Sequence, residues 1–175
     1  MLVLAACGGP DGSRSPAGSA DAAASIVGAT FKPAPSREDP GSGDLGRPGG
    51  QDLEVVTYSV EEALSAEGGE AIGSMLNSLE VDRDAVDLTL AIGAGGEPTI
   101  SDWRLPGASA DAILDAWEEA GPGNWSSVTL AGLPALSGEG PDGSVAWAIA
   151  VDGRFVYIRT DDLAIAEDVA RVVGG

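Results

Sequence analysis

Histidine is missing from all 175 residues, and cysteine occurs once, as Cys7. Without histidine the chain lacks the commonest general base and the commonest metal ligand. A single cysteine forms no intrachain disulfide and no thiol cluster. Lysine is as scarce: Lys32 is the only one, and it falls outside the segment that reads as folded, so a Ser–Lys mechanism has no base there. No G-x-S-x-G elbow and no G-x-x-x-x-G-K-[ST] phosphate loop occurs. Nor does any segment reach the roughly 18 consecutive apolar residues that would span a bilayer as a helix. These gaps leave carboxylates as the main acid–base candidates and predict neither a cofactor nor a metal.

Positive charge is also thin, with 9 Lys and Arg against 28 Asp and Glu and a net charge of −19. The first 50 residues hold 5 acids and 4 bases, so 23 acids and 5 arginines lie beyond Gly50, net −18. A segment this acidic repels phosphates and anionic lipid surfaces, which excludes nucleic acid as a partner. The same first 50 residues hold 10 of the 26 glycines and 6 of the 11 prolines. Such a tract buries too little apolar surface to offset the entropy of ordering it. Residues 8–50 therefore read as a disordered Gly/Pro/Ser-rich tether, and residues 51–175 as one acidic domain. Residues 22–31 (AAASIVGATF) are the tether's one apolar island, either a strand docked on the domain or a less polar stretch of linker.

The strongest local signal is residues 144–160 (SVAWAIAVDGRFVYIRT). Asp152-Gly153 accepts the positive φ angles of a two-residue hairpin turn, which fixes the register. Val151 then opposes Arg154, Ile149 opposes Val156, and Trp147 opposes Ile158. On the other face Ala146, Ala148 and Ala150 oppose Arg159, Tyr157 and Phe155. Buried area at roughly 25 cal/mol per Å² favours turning the larger aliphatic face to the helices, leaving the Ala/Phe155/Tyr157/Arg159 face partly exposed.

Elsewhere, residues 53–58 (LEVVTY) read as a strand, and Ser59 and Glu62 form an S-x-x-E capping box opening a helical turn through Leu64. Ile72, Met75, Leu76 and Leu79 make one apolar helical stripe. Leu88, Leu90 and Ile92 alternate as a strand; after a Gly-rich loop a second strand carries Ser101, Trp103 and Leu105 on one face. Ser109 caps a helix to Ala120 with Ile113, Leu114 and Trp117 on its buried side. Residues 125–130 form a further strand, which residues 133–136 prolong past a kink at Gly132. Thr160 or Asp161 caps a last helix with Leu163, Ala166, Val169 and Val173 on one face. Two tempting motifs fail. Residues 80–87 lack the Asp/Asn and Gly that a calcium loop needs after Asp84, and Pro98 stands where G-x-G-x-x-G requires its last Gly.

Residues 87–117 and 144–170 share one order: strand, turn, strand, short loop, capped helix. Two ββα units preceded by a strand and helix predict an α+β fold, a mostly antiparallel sheet with helices on one face.

At the amino end, Leu4-Ala5-Ala6-Cys7-Gly8-Gly9 resembles the lipobox of bacterial lipoproteins, in which the thiol is acylated and the chain cut just before the cysteine. The resemblance implies that residues 1–7 end a signal whose start lies upstream of Met1. It implies also that Cys7 is the mature first residue, and that the membrane is a partner through a lipid anchor at Cys7 on the extracytoplasmic face. Residues 154–160 (RFVYIRT) with the following D-D-L-A-I-A-E-D-V-A, and W-R-L-P-G before an Ala-rich helix, resemble the pattern of small uncharacterised secreted or lipid-anchored proteins of high-GC bacteria, notably Chloroflexota. That likeness spans about residues 53–173 and implies no activity and no catalytic residues.

The expected role is a non-enzymatic binding or interaction module for an unknown protein or carbohydrate ligand, with Trp125, Phe155 and Tyr157 as a surface platform. Two alternatives are an envelope hydrolase working with carboxylates alone, and a structural spacer or assembly subunit.

Overall fold

The computed structural model describes residues 24–26, 29–31, 48–66, 68–140 and 143–175. Cys7, the signal end at residues 1–7 and most of the tether at 8–50 lie outside the described residues. In chain order the elements are β1 (Ala24–Ile26), β2 (Ala29–Phe31), β3 (Leu53–Tyr58), α1 (Val60–Ser65), α2 (Gly69–Ser78), β4 (Asp87–Gly93), β5 (Thr99–Arg104), α3 (Ala110–Ala120), β6 (Ser126–Leu130), β7 (Leu133–Glu139), β8 (Val145–Val151), β9 (Arg154–Arg159) and α4 (Leu163–Gly174). Within the apolar island, β1 and β2 pair as a small antiparallel hairpin, and β1 lies against β5.

The other seven strands form one antiparallel sheet in the order β3-β4-β5-β9-β8-β7-β6. The fold is α+β, and its two ββα units, β4-β5-α3 and β8-β9-α4, meet at the centre where β5 pairs β9. The Asp152-Gly153 turn sets the expected register, with Val151 opposite Arg154, Ile149 opposite Val156 and Ala148 opposite Tyr157. Gly153 sits at φ +71°, a conformation open to glycine without a Cβ clash. The turn also holds the neighbouring unit: Ala110 N–H donates to Asp152 Oδ1 at 3.2 Å, and the Gly153 N–H donates to the Ala108 carbonyl at 2.8 Å. The start of α3 is thereby tied to a hairpin more than forty residues away.

The caps follow from local chemistry. Ser59 and Glu62 complete their reciprocal capping box at α1, and Ser109 Oγ accepts from Ala112 N–H at α3. At α4 the cap is Asp162, not Thr160 or Asp161. All three residues are used, because Thr160 Oγ1 accepts from Asp162 N–H and Asp161 Oδ1 accepts from Val145 N–H. The stretch expected to be one kinked strand is instead the β6–β7 hairpin, in which Leu130 opposes Leu133. Its two turn residues, Ala131 and Gly132, have φ of 49° and 89°, the signs that a type I′ turn needs.

The layering corrects two expectations. Three helices, α1 to α3, pack on one sheet face, and α4 packs on the other. The face turned to α2 and α3 is the one carrying the alanines, Phe155 and Tyr157, which is fully covered. Face volume alone misleads, because packing depends on what sits opposite. The small β8 alanines leave room for Trp117 of α3 between them and the β9 aromatics. Across the sheet, Ile149, Val156 and Ile158 meet the small residues Ala166 and Ala170 of α4, with Val169 beside them. Large meets small on both sides.

Ala148→Leu forces extra volume into the filled layer beneath α3 and should destabilise the chain by about 1–3 kcal/mol. Urea denaturation reads this directly; an unchanged midpoint would contradict the layer assignment.

Candidate functional site

Trp125, Phe155 and Tyr157 do come together, but inside the domain. Tyr157 and Phe155 are 1% and 0% exposed, Trp117 is 0% exposed, and Trp125 is half-buried against the same cluster. Trp117 is the hub: its ring lies 5.0 Å from Phe155, 5.5 Å from Tyr157 and 5.7 Å from Trp125. Trp125 meets Tyr157 edge-on at 6.2 Å. These tilted and edge-to-face geometries are how aromatic rings pack in cores. The expected surface platform is therefore withdrawn: β9 alternation points Phe155 and Tyr157 to the layer that α3 covers. The Trp117 and Trp125 indole N–H groups are buried with no hydrogen-bond acceptor among the described residues.

The buried charges are likewise structural. Asp102 of β5 and Arg154 of β9 are 4% and 8% exposed. Arg154 donates through Nε to Asp102 Oδ1 and through Nη2 to Oδ2, both at 2.8 Å. This bidentate, charge-assisted pair occupies both carboxylate oxygens and clamps the two central strands where the ββα units join. Strand alternation sets Asp102 on the face opposite Ser101 and Trp103, which reads as outward, so no local signal points to the pair. The other buried arginine, Arg159, donates from Nε to Ser144 Oγ at 3.4 Å.

One groove of about 680 Å³ opens between the β3–α1 junction and the start of β4. Buried Val60, Val86 and Leu88 line it with exposed Glu61, Asp84 and Asp87. Tyr58 also lines it, and burial, followed by the nearby Glu62 and Glu54 carboxylates, raises its phenol above the ordinary 10.0. Glu62 is displaced the other way. Hydrogen bonds from Ser59 Oγ at 2.8 Å and Ser59 N–H at 3.2 Å hold its carboxyl below the ordinary 4.5. A carboxyl acting as general acid near neutrality needs the opposite displacement. In the acidic connector, Asp82 Oδ1 accepts from Asp84 N–H to cap the short turn Arg83–Ala85, and Arg83 donates to Asn77 Oδ1 at 3.0 Å. Among the described residues no three His, Cys, Asp or Glu side chains cluster to hold a metal ion.

Comparison with protein-family models, with curated proteins and with solved structures gives no match for this chain.

Two outcomes follow from these contacts. Asp102→Ala leaves a buried guanidinium unpaired and should cost about 3–5 kcal/mol, whereas Asp102→Leu combined with Arg154→Met should recover most of that loss; equal losses in both would contradict the clamp. Glu62, whose folded pKa is depressed, adds stability above its unfolded pKa that is lost as pH falls through the folded one. An NMR titration should place its midpoint below 4.5, and a midpoint at or above that value would remove the capping interaction.

Proposed function

We propose that this chain is a lipid-anchored protein of the extracytoplasmic face of a bacterial cell membrane, and that its acidic α+β domain is a non-enzymatic binding or interaction module. The observation that carries the reading is Cys7. The only cysteine stands behind Leu4-Ala5-Ala6 and ahead of Gly8-Gly9, and a Gly/Pro/Ser-rich stretch separates it from the domain. A spacer of that composition lets a head stand clear of a bilayer. No helix among the described residues is long and apolar enough to cross a membrane, so attachment in this reading rests on the acyl chains.

The preference for binding over bond-making rests on what the polar groups already do. Residues 51–175 contain neither histidine nor cysteine. The buried acid Asp102 is held by Arg154, and the α3 acids Asp111, Asp115, Glu118 and Glu119 are all exposed. A carboxylate hydrolase would draw its acids from the groove beside Tyr58. There Glu61, Asp84 and Asp87 are solvated, without the apolar enclosure that tunes a carboxyl for proton transfer.

Mass spectrometry of the membrane fraction of the native cells tests this. The expected amino-terminal peptide begins at Cys7 with acyl chains on it, and Cys7→Ser should release the chain from the membrane pellet. Native chain free in the cytosol with an unmodified thiol would contradict the reading.

A further inference from the structure

The seven-stranded sheet ends in two edge strands, β3 and β6, and the two differ in charge. The β3 edge carries Glu54, with Asp52 just before it and Glu61 and Glu62 just after it. The β6 edge has none. Residues 120–138, which include both strands of the β6–β7 hairpin up to the penultimate residue of β7, contain no Asp, Glu, Lys or Arg, although residues 51–175 as a whole carry net −18. Edge strands are normally protected against pairing by charge, proline or a covering segment. β6, with sequence SSVTL, has neither charge nor proline, and Ser126, Ser127 and Thr129 are exposed along it.

The register defines what this edge offers. A two-residue turn makes Leu130 and Leu133 a hydrogen-bonded pair, and bonding alternates from there. Val128 and Ser126 therefore bond inward to β7, while the N–H and C=O of Ser127 and Thr129 point out of the sheet. Among the described residues no turn or loop hydrogen bond reaches either of them. Pro134 agrees with this scheme, since it lies opposite Thr129 and just outside the β7–β8 ladder, which starts at Ala135, so its missing N–H costs no ladder bond.

We infer that β6 pairs antiparallel with β6 of a second copy, with Val128 on the two-fold axis, joining two sheets into one. The occupant is a second copy for two reasons. A strand related to itself by a two-fold axis is antiparallel by symmetry, so the same short segment supplies both sides of an isologous contact. Charge then selects this edge, since the uncharged hairpin is where two strongly acidic domains approach with least repulsion. The outward groups fix the register: Ser127 faces Thr129 of the second copy and Thr129 faces its Ser127, each pair exchanging both N–H···O bonds. The two Val128 side chains meet in the closer, non-hydrogen-bonded pair between them. The inference adds a partner to the interaction-module reading but does not need the anchor.

A five-residue strand contact is small, so the dimer is weak and tightens as salt screens the two acidic bodies. The test is sedimentation equilibrium on the full chain carrying Cys7→Ser, which removes acylation and disulfide dimers together. Raising ionic strength from about 0.05 to about 0.5 M should lower the dimer dissociation constant by at least about tenfold. Val128→Glu places two carboxylates on the axis, and Thr129→Pro removes an outward donor without touching the β6–β7 ladder. Each should abolish the dimer while leaving the circular dichroism melt cooperative, whereas Val55→Glu on the opposite edge should leave it intact. A chain that stays monomeric at about 1 mM in high salt, or a dimer indifferent to both β6 variants, would overturn the inference. Loss of the dimer leaves the acylation result standing, and an unmodified Cys7 leaves the dimer standing.

Discussion

The central strands of the sheet are buried on both faces, and most of the architecture follows from that constraint. In β9, Phe155 and Tyr157 point to one layer while Val156 and Ile158 point to the other, and all four are fully buried. A strand in this position has no solvent face to absorb an error of register, since a slip of one residue exchanges aromatics for aliphatics in both layers. The Asp152-Gly153 turn prevents the slip. It also holds the loop before α3, so one pair of residues couples hairpin register to helix placement. Complementary volumes complete the arrangement: β8 alanines accommodate Trp117, and α4 alanines accommodate Ile149, Val156 and Ile158.

This explains which parts of the fold were legible in the amino-acid sequence. The Asp-Gly turn, the Ser59–Glu62 capping box and the Ile72–Met75–Leu76 stripe are local signals whose chemistry is complete within a few residues, and each forms as expected. The order of the two ββα units was readable for the same reason. The side on which each helix packs was not, because it depends on residues far apart in sequence fitting one another's volumes. Alanines at 146, 148 and 150 looked like a poor core face only while Trp117 was left out of the reckoning. The β6–β7 hairpin was missed because Ala131 occupies a positive-φ turn position that Asn, Asp or Gly usually fills, and left-handed backbone costs a residue with a Cβ about 1–2 kcal/mol.

The candidate site was less legible than the fold. Two aromatics in one strand and a third in a loop are compatible with a surface platform or with a core cluster, and only helix placement distinguishes the two. The same holds for charge. Asp102 and Arg154 are 52 residues apart, and nothing local in either segment announces their pairing. With the aromatics and the buried ions assigned to packing, the features left for recognition are the groove beside Tyr58, the acidic surface and the uncharged β6 edge. In the reading proposed above, these serve contact with another molecule through shape, backbone and charge.

Hydrogen exchange, resolved amide by amide, tests the two-sided burial most directly. The account predicts that the amides of Phe155, Val156, Tyr157 and Ile158 exchange only through global unfolding, well behind those of the edge strand β3. Exchange of β9 as fast as that of β3 would mean that one face of the central sheet is open to water, and the layered arrangement described here would be wrong.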